Sequence, residues 1–234
     1  GVIVARFFGA GDEKNLQRAV HTTVAFGLVA GVLMTGVGVA LSPQILRWMD
    51  TPESVMRESV TYLQIYFAGS LGFVMYNVLV GILQAVGDSR HPLYYLIVSS
   101  VINLVLDLLF ITGFHTGVGG AAVATVISQI VSALLCFWQL LRTKESYGLK
   151  IRKIRFDKGI LVQIIKIGLP SGVQNSIIAF ANVIVQSNIN AFGEMAMAGY
   201  GAYTKVEGFG FLPINSFTMA LTTFVGQNLG AKQE

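Results

Sequence analysis

Residues 100–111 read SVINLVLDLLFI, which sets Asp107 inside one of the most apolar runs of the chain. Burying an ionised, unpartnered carboxylate is costly, so such a residue needs a partner, a proton or a bound cation. Which of these applies depends on the solvent around the helix. Of the 234 residues, 53% are hydrophobic and only 12% charged, against about 25% charged in a typical soluble domain. The apolar residues come in blocks about 20 to 25 residues long, enough to cross a hydrocarbon core roughly 30 Å thick at about 1.5 Å rise per residue. The stretch around Asp107 therefore reads as a membrane-spanning helix, and the chain as an all-α, polytopic membrane helix bundle.

Apolar blocks between polar breaks predict an apolar tail over 1–8 and spans over 18–42, 58–86, 92–114, 118–142, 168–192 and 196–229. Pro170 and Pro213 are expected to begin or kink the last two. The connections alternate in charge. One set carries Arg6, Lys14 and Arg18, then Arg90, then a run from Arg142 to Lys166, and finally Lys232. The intervening set carries only Arg47 and Arg57, beside Asp50, Glu53 and Glu58. The positive-inside bias places the first set in the cytoplasm. Its longest member, RTKESYGLKIRKIRFDKG over 142–159, is expected to be a solvated basic loop near anionic lipid heads. It divides the chain into a first lobe over 1–145, a linker over 146–158 and a second lobe over 159–234.

An internal repeat supports two lobes. VARFFGAGD (4–12) and VGQNLGAKQ (225–233) both end an apolar run with Gly-Ala at the same edge, and transporters are commonly built from such repeats. Glycines four apart (Gly27 and Gly31, Gly168 and Gly172, Gly226 and Gly230) read as helix-packing positions. Cys136 is the only cysteine, so no internal disulfide forms, and it reads as a packing residue. The chain opens GVIVARFF, without a methionine or a charged leader, so no signal peptide is expected and both ends read as cut.

Polar residues line single faces of the spans. Ser99, Asn103 and Asp107 recur every four residues on one face. Ser70, Asn77 and Gln84 recur in the preceding span, and Thr125, Ser128, Gln129 and Ser132 in the following one. Asp107, Asn103, Asn77 and Thr125 could thus converge inside a bundle. Asp107 lies about 15 residues beyond Pro92, or roughly 22 Å into the membrane, and no base in the spans of its half can neutralise it, since Arg90 and Arg142 sit at the cytoplasmic ends. It either keeps a proton, hydrogen-bonded to Asn103 or exchanging along a pathway, or binds a cation with amide and hydroxyl oxygens beside it.

The second half differs. Gln174, Asn175, Asn182 and Gln186 mark its first span. Tyr200, Tyr203, Lys205 and Glu207 mark the next, where tyrosine faces around a carboxylate suit an organic cation and a Lys205–Glu207 pair by a wet cavity is the plainer reading. Enzyme chemistry finds no support. There is no HExxH, His21, His91 and His115 sit at span edges, no second intramembrane aspartate pairs with Asp107, and no glycine-rich phosphate loop is present.

These residues together resemble the multidrug and toxic compound extrusion (MATE) family. INLVLDLLFI followed by GVGGAAVATVIS (117–128) is similar to its fifth-to-sixth helix signature, GAGD and VGQNLGAK to the ends of its second and eighth helices, and LVGILQAVGDSRHP (79–92) to its fourth-helix exit. The resemblance covers the chain as the end of helix two through helix eight of a twelve-helix, two-lobe transporter, with the first-helix aspartate in a missing segment. It implies an H⁺- or Na⁺-coupled antiporter that exports amphipathic or cationic drugs by alternating access. It implies no cofactor besides the coupling ion, and no nucleic-acid partner. The setting would be a bacterial or archaeal cytoplasmic membrane, with the full-length protein monomeric. Asn103 and Asp107 match the fifth-helix cation ligands, Thr125 the sixth-helix hydroxyl and Asn77 a fourth-helix amide. Some relatives carry a helix-seven acid that this sequence lacks. The alternative, a flippase for lipid-linked precursors, would line its cavity with bases, and only Lys205 lies deep in a span.

Overall fold

The computed structural model describes residues 1–49, 53–190 and 192–233; Asp50 lies outside them. The described residues form helices and contain no strand. In chain order they are α1 (Val2–Gly9), α2 (Glu13–Trp48), α3 (Glu53–Ala68), α4 (Ser70–Ala85), α5 (Arg90–Leu108), α6 (Gly117–Arg142), α7 (Lys158–Asn190) and α8 (Glu194–Gly230). A π-helical turn, Leu109–Gly113, extends α5, and a 3-10 turn, Ile151–Lys153, interrupts the basic loop. Among the described residues, five helices are long and apolar enough to cross a membrane, and a sixth span results if α3 and α4 are counted as one.

The predicted spans overlap these helices, and three differences stand out. The single span expected over 58–86 is bent by 41° where α3 meets α4. Gly69 sits at the break, and a side chain there would run into the methyls of Val126 on α6. α2 and α7 also begin well before the apolar blocks do, because an aspartate caps each. Asp12 accepts from Asn15 N at 3.0 Å, and Asp157 from Ile160 N at 3.1 Å. Pro170 and Pro213 therefore begin no helix, since they fall inside α7 and α8. Between α1 and α2 the chain reverses through Gly11 at φ 65°, a left-handed conformation that favours glycine.

The core gathers at the basic end of the bundle. Leu16, Val20 and Val24 of α2 pack with Leu79, Ile82 and Leu83 of α4, Cys136 and Leu140 of α6, and Leu149 and Ile160 beyond them. α4 rests on α2 and α6, α6 lies against α5 and α3, and α8 lies against α1. Gly27 and Gly31 let α4 approach, since a Cβ would stand 2.9 Å from Val78 and 2.7 Å from Leu71. Gly9 and Gly230 do the same where α1 crosses α8, whereas Gly168 and Gly172 face open space. Most large apolar residues of α5, α7 and α8 are exposed, as lipid-facing surfaces are.

The basic loop is tied down. Gln17 donates to the carbonyls of Ser146 and Gly148. His21, 3% exposed, donates from Nδ1 to the Gln17 carbonyl at 2.6 Å and accepts at Nε2 from Lys150 N at 3.0 Å. Thr22 donates to the Arg155 carbonyl and accepts from Asp157 N at 3.1 Å. The sequence predicts a solvated basic loop with His21 at an interface; the bases are exposed, but His21 is buried. Three side chains on two turns of α2 instead hold the loop by its backbone.

Candidate functional site

Asn103 and Asp107 share one face of α5, a turn apart, and both are half-buried. Each carries a fully buried polar atom without a hydrogen-bond partner, Asn103 Nδ2 and Asp107 Oδ1. The two side chains therefore do not satisfy each other through these atoms. A buried donor or acceptor left unpaired costs about 1–3 kcal/mol, and a native protein retains such groups where something else engages them. Ser99, one turn earlier on the same face, is buried and donates to the Leu96 carbonyl at 3.0 Å. The π-helical turn begins two residues beyond Asp107, and such turns are frequent at functional positions.

The neighbouring helices contribute unequally. α6 packs along α5 and carries Thr125, half-buried, whose hydroxyl donates to the Ala121 carbonyl at 3.0 Å and keeps its acceptor lone pairs. Ser128 and Ser132 on α6 are buried and likewise bonded within their helix. α4 packs on α6 and α2, with little contact to α5. Asn77 is exposed there and donates to the Phe73 carbonyl at 2.8 Å. The structure thus groups Asn103 with Asp107, brings the helix of Thr125 alongside, and sets Asn77 apart. Among the described residues no group of three or more His, Cys, Asp or Glu side chains could hold a metal ion. A cation at Asp107 would rely on one carboxylate with amide, hydroxyl and carbonyl oxygens, a donor set that suits a hard monovalent ion or a proton.

In the second half, Gln174, Asn175 and Asn182 are exposed along α7, and Gln186 is half-buried. On α8, Tyr200 and Tyr203 stack with ring centroids 5.9 Å apart, and the Tyr203 hydroxyl donates to Glu207 at 2.9 Å. Lys205 forms no ion pair with Glu207. The two tyrosines and the carboxylate lie on successive turns of one face, with Tyr203 exposed and Tyr200 and Glu207 half-buried.

Two features escaped sequence reading. The Gln17, His21 and Thr22 clamp is one. The other is the hold of α8 on the end of α4, where Gln227 donates to the Ala85 carbonyl at 2.9 Å and Thr223 to the Gln84 carbonyl at 3.4 Å. The polar residues at spacing four were visible; their partners on other helices were not.

The model of the family described as MatE matches residues 1–109 and 170–234. The chain belongs to the MatE family. Its relatives include the Probable multidrug resistance protein YoeA of Bacillus subtilis, 31% identical over 99% of this chain and 52% of that protein. The Probable multidrug resistance protein NorM of Thermotoga maritima is 27% identical over 98% of this chain and 50% of that protein. Among solved structures, a MATE transporter in a bent conformation superposes with a TM-score of 0.89 at 28% identity, over 99% of this chain and 52% of its own. A MOP-superfamily transporter of Pyrococcus furiosus, described as having a binding pocket of reversed polarity, superposes at 0.90 and 26% identity, over 99% and 52%. The chain spans about half the length of the relatives it matches. The helix order, the two-part match and the membrane-length helices agree with a MatE bundle. The family is one of transporters rather than enzymes.

Proposed function

We propose that the chain supplies parts of both lobes of a cation-coupled secondary antiporter, which exports amphipathic or cationic drugs across a bacterial or archaeal cytoplasmic membrane. The observation that carries the reading is the unpartnered pair Asn103 Nδ2 and Asp107 Oδ1 on one face of an apolar helix. A coupling ion, H⁺ or Na⁺, would neutralise Asp107, with Asn103 and Thr125 as further oxygen donors, and its departure would leave a charge the bundle tolerates poorly. Occupancy then biases one arrangement of the lobes over another. The division into lobes over 1–145 and 159–234 is supported by the repeat and by the two separate stretches of the family match.

Drugs of the multidrug class would meet Tyr200, Tyr203 and Glu207, a face fit for an organic cation. Gln174, Asn175, Asn182 and Gln186 would add amides on α7. A flippase for anionic lipid-linked precursors has less support, since Lys158 and Lys166 of α7 lie toward the basic end and Lys205 is the one other base in α7 and α8.

The test uses the full-length protein in vesicles, with a Na⁺ gradient and a pH gradient imposed separately and efflux of a lipophilic cation recorded. One gradient is expected to drive efflux, and Asp107→Asn to abolish it while membrane insertion is unchanged. Full export by that variant overturns the coupling role.

A further inference from the structure

The clamped loop builds a pocket. Arg152, Lys153 and Arg155 are held opposite Lys14 and Arg18 across a cavity of about 530 Å³. Asp157 also lines it, but one of its oxygens lies 2.6 Å from Arg18 and the other caps α7. Among the described residues, Arg152, Lys153 and Arg155 form no ion pair, and Lys14 has only the charge of nearby Asp12. These exposed bases converge on one cavity and make it suited to an anion.

Beyond the pocket lies an apolar groove. One turn along α2 from Thr22, Phe26 begins a second cavity of about 810 Å³, whose other wall is α7 from Ile164 to Phe180. Gly168 and Gly172 present no side chain there, with nothing within 4 Å of where a Cβ would be. That wall is about 24 Å of helix at about 1.5 Å per residue, longer than one leaflet of a hydrocarbon core roughly 30 Å thick.

We propose that the cleft between α2 and α7 binds one anionic phospholipid, its phosphate among Arg152, Lys153, Arg155 and Lys14 and an acyl chain along the groove. Arginine forks match phosphate oxygens in pairs, and lysine adds point charges. α2 lends residues to both parts, and the loop that bears the bases runs directly into α7, so headgroup and chain are received end to end. A soluble phosphate would leave the groove unfilled, and an apolar helix would leave the bases unmatched. An anionic lipid satisfies both.

The experiment takes the full-length protein in detergent and counts retained lipid by native mass spectrometry after exposure to phosphatidylglycerol, phosphatidylcholine or inorganic phosphate. Phosphatidylglycerol is expected to be retained one per protein, with phosphatidylcholine and inorganic phosphate binding far more weakly. The exposed triple variant Arg152→Gln, Lys153→Gln, Arg155→Gln should weaken retention by about a hundredfold. Val173→Trp keeps every base and obstructs the groove; it should also reduce retention, which decides the matter even if the triple variant does not fold. Equal retention of the two lipids, inorganic phosphate binding as tightly as lipid, or undiminished retention by Val173→Trp overturns the proposal.

Discussion

Gly230 of α8 lies so close to the Arg6 carbonyl of α1 that any side chain on it would collide with backbone. The converse contact sets Gly9 of α1 against the backbone of Gln227, and between them a Cβ on Gly226 would stand 3.1 Å from that of Ala5. In the repeat, Gly9 corresponds to Gly230, Arg6 to Gln227 and Ala5 to Gly226. Each contact is therefore mirrored by its equivalent, as at an interface between two copies of one motif. Gly230→Ala in the full-length protein is expected to cost about 1–3 kcal/mol through overpacking. Chemical or thermal unfolding measures it, and unchanged stability would show that the crossing is looser than described.

The loop clamp gives a second prediction. Thr22→Val removes a hydroxyl that bonds on both sides, to the Arg155 carbonyl and from Asp157 N. Leaving those groups unpaired costs about 1–3 kcal/mol. The local consequence is sharper: trypsin should cut within residues 144–155 much faster than in the parent protein, and cutting at the parent rate counts against the clamp.

At the break between α3 and α4, Gly69→Leu would press on Val126. An expected destabilisation of about 1–3 kcal/mol follows. Val126→Ala should recover part of it in a double-mutant cycle, and strict additivity of the two changes would deny the contact.

The α2 cap predicts a pH response. Backbone and side-chain hydrogen bonds from Asn15, with a smaller pull from Lys14, hold the Asp12 carboxyl below its ordinary value. A depressed carboxyl stabilises the fold fully above its unfolded value, and that contribution is lost as pH falls through the folded one. Amide exchange at Asn15, followed over an acid titration, should accelerate in that window in the parent and lack the step in Asp12→Ala.

The spans were legible because a membrane helix must be apolar over its length, and that leaves block lengths in the sequence. The break at Gly69 was not, since one glycine among apolar residues looks the same in a straight helix. Helix starts were misplaced because capped helices run on through polar residues, as α7 does from Lys158. The face joining Asn103 and Asp107 follows from spacing alone, whereas which helices pack side by side, α4 and α5 each on α6 rather than on one another, is recorded by no local pattern. His21 bonds to Lys150, 129 residues away, and only the folded chain brings them together.

The π-helical turn has one more consequence for α5. It shifts the phase of the helix just past Asp107, and the residues that follow, Leu108 through Ile111, are apolar; Thr112 turns its hydroxyl back to the Leu108 carbonyl. On this helix the polar row is a cul-de-sac: past Asp107 no polar side chain other than the turned-back Thr112 follows before the helix ends, so any path onward would have to be completed by another helix.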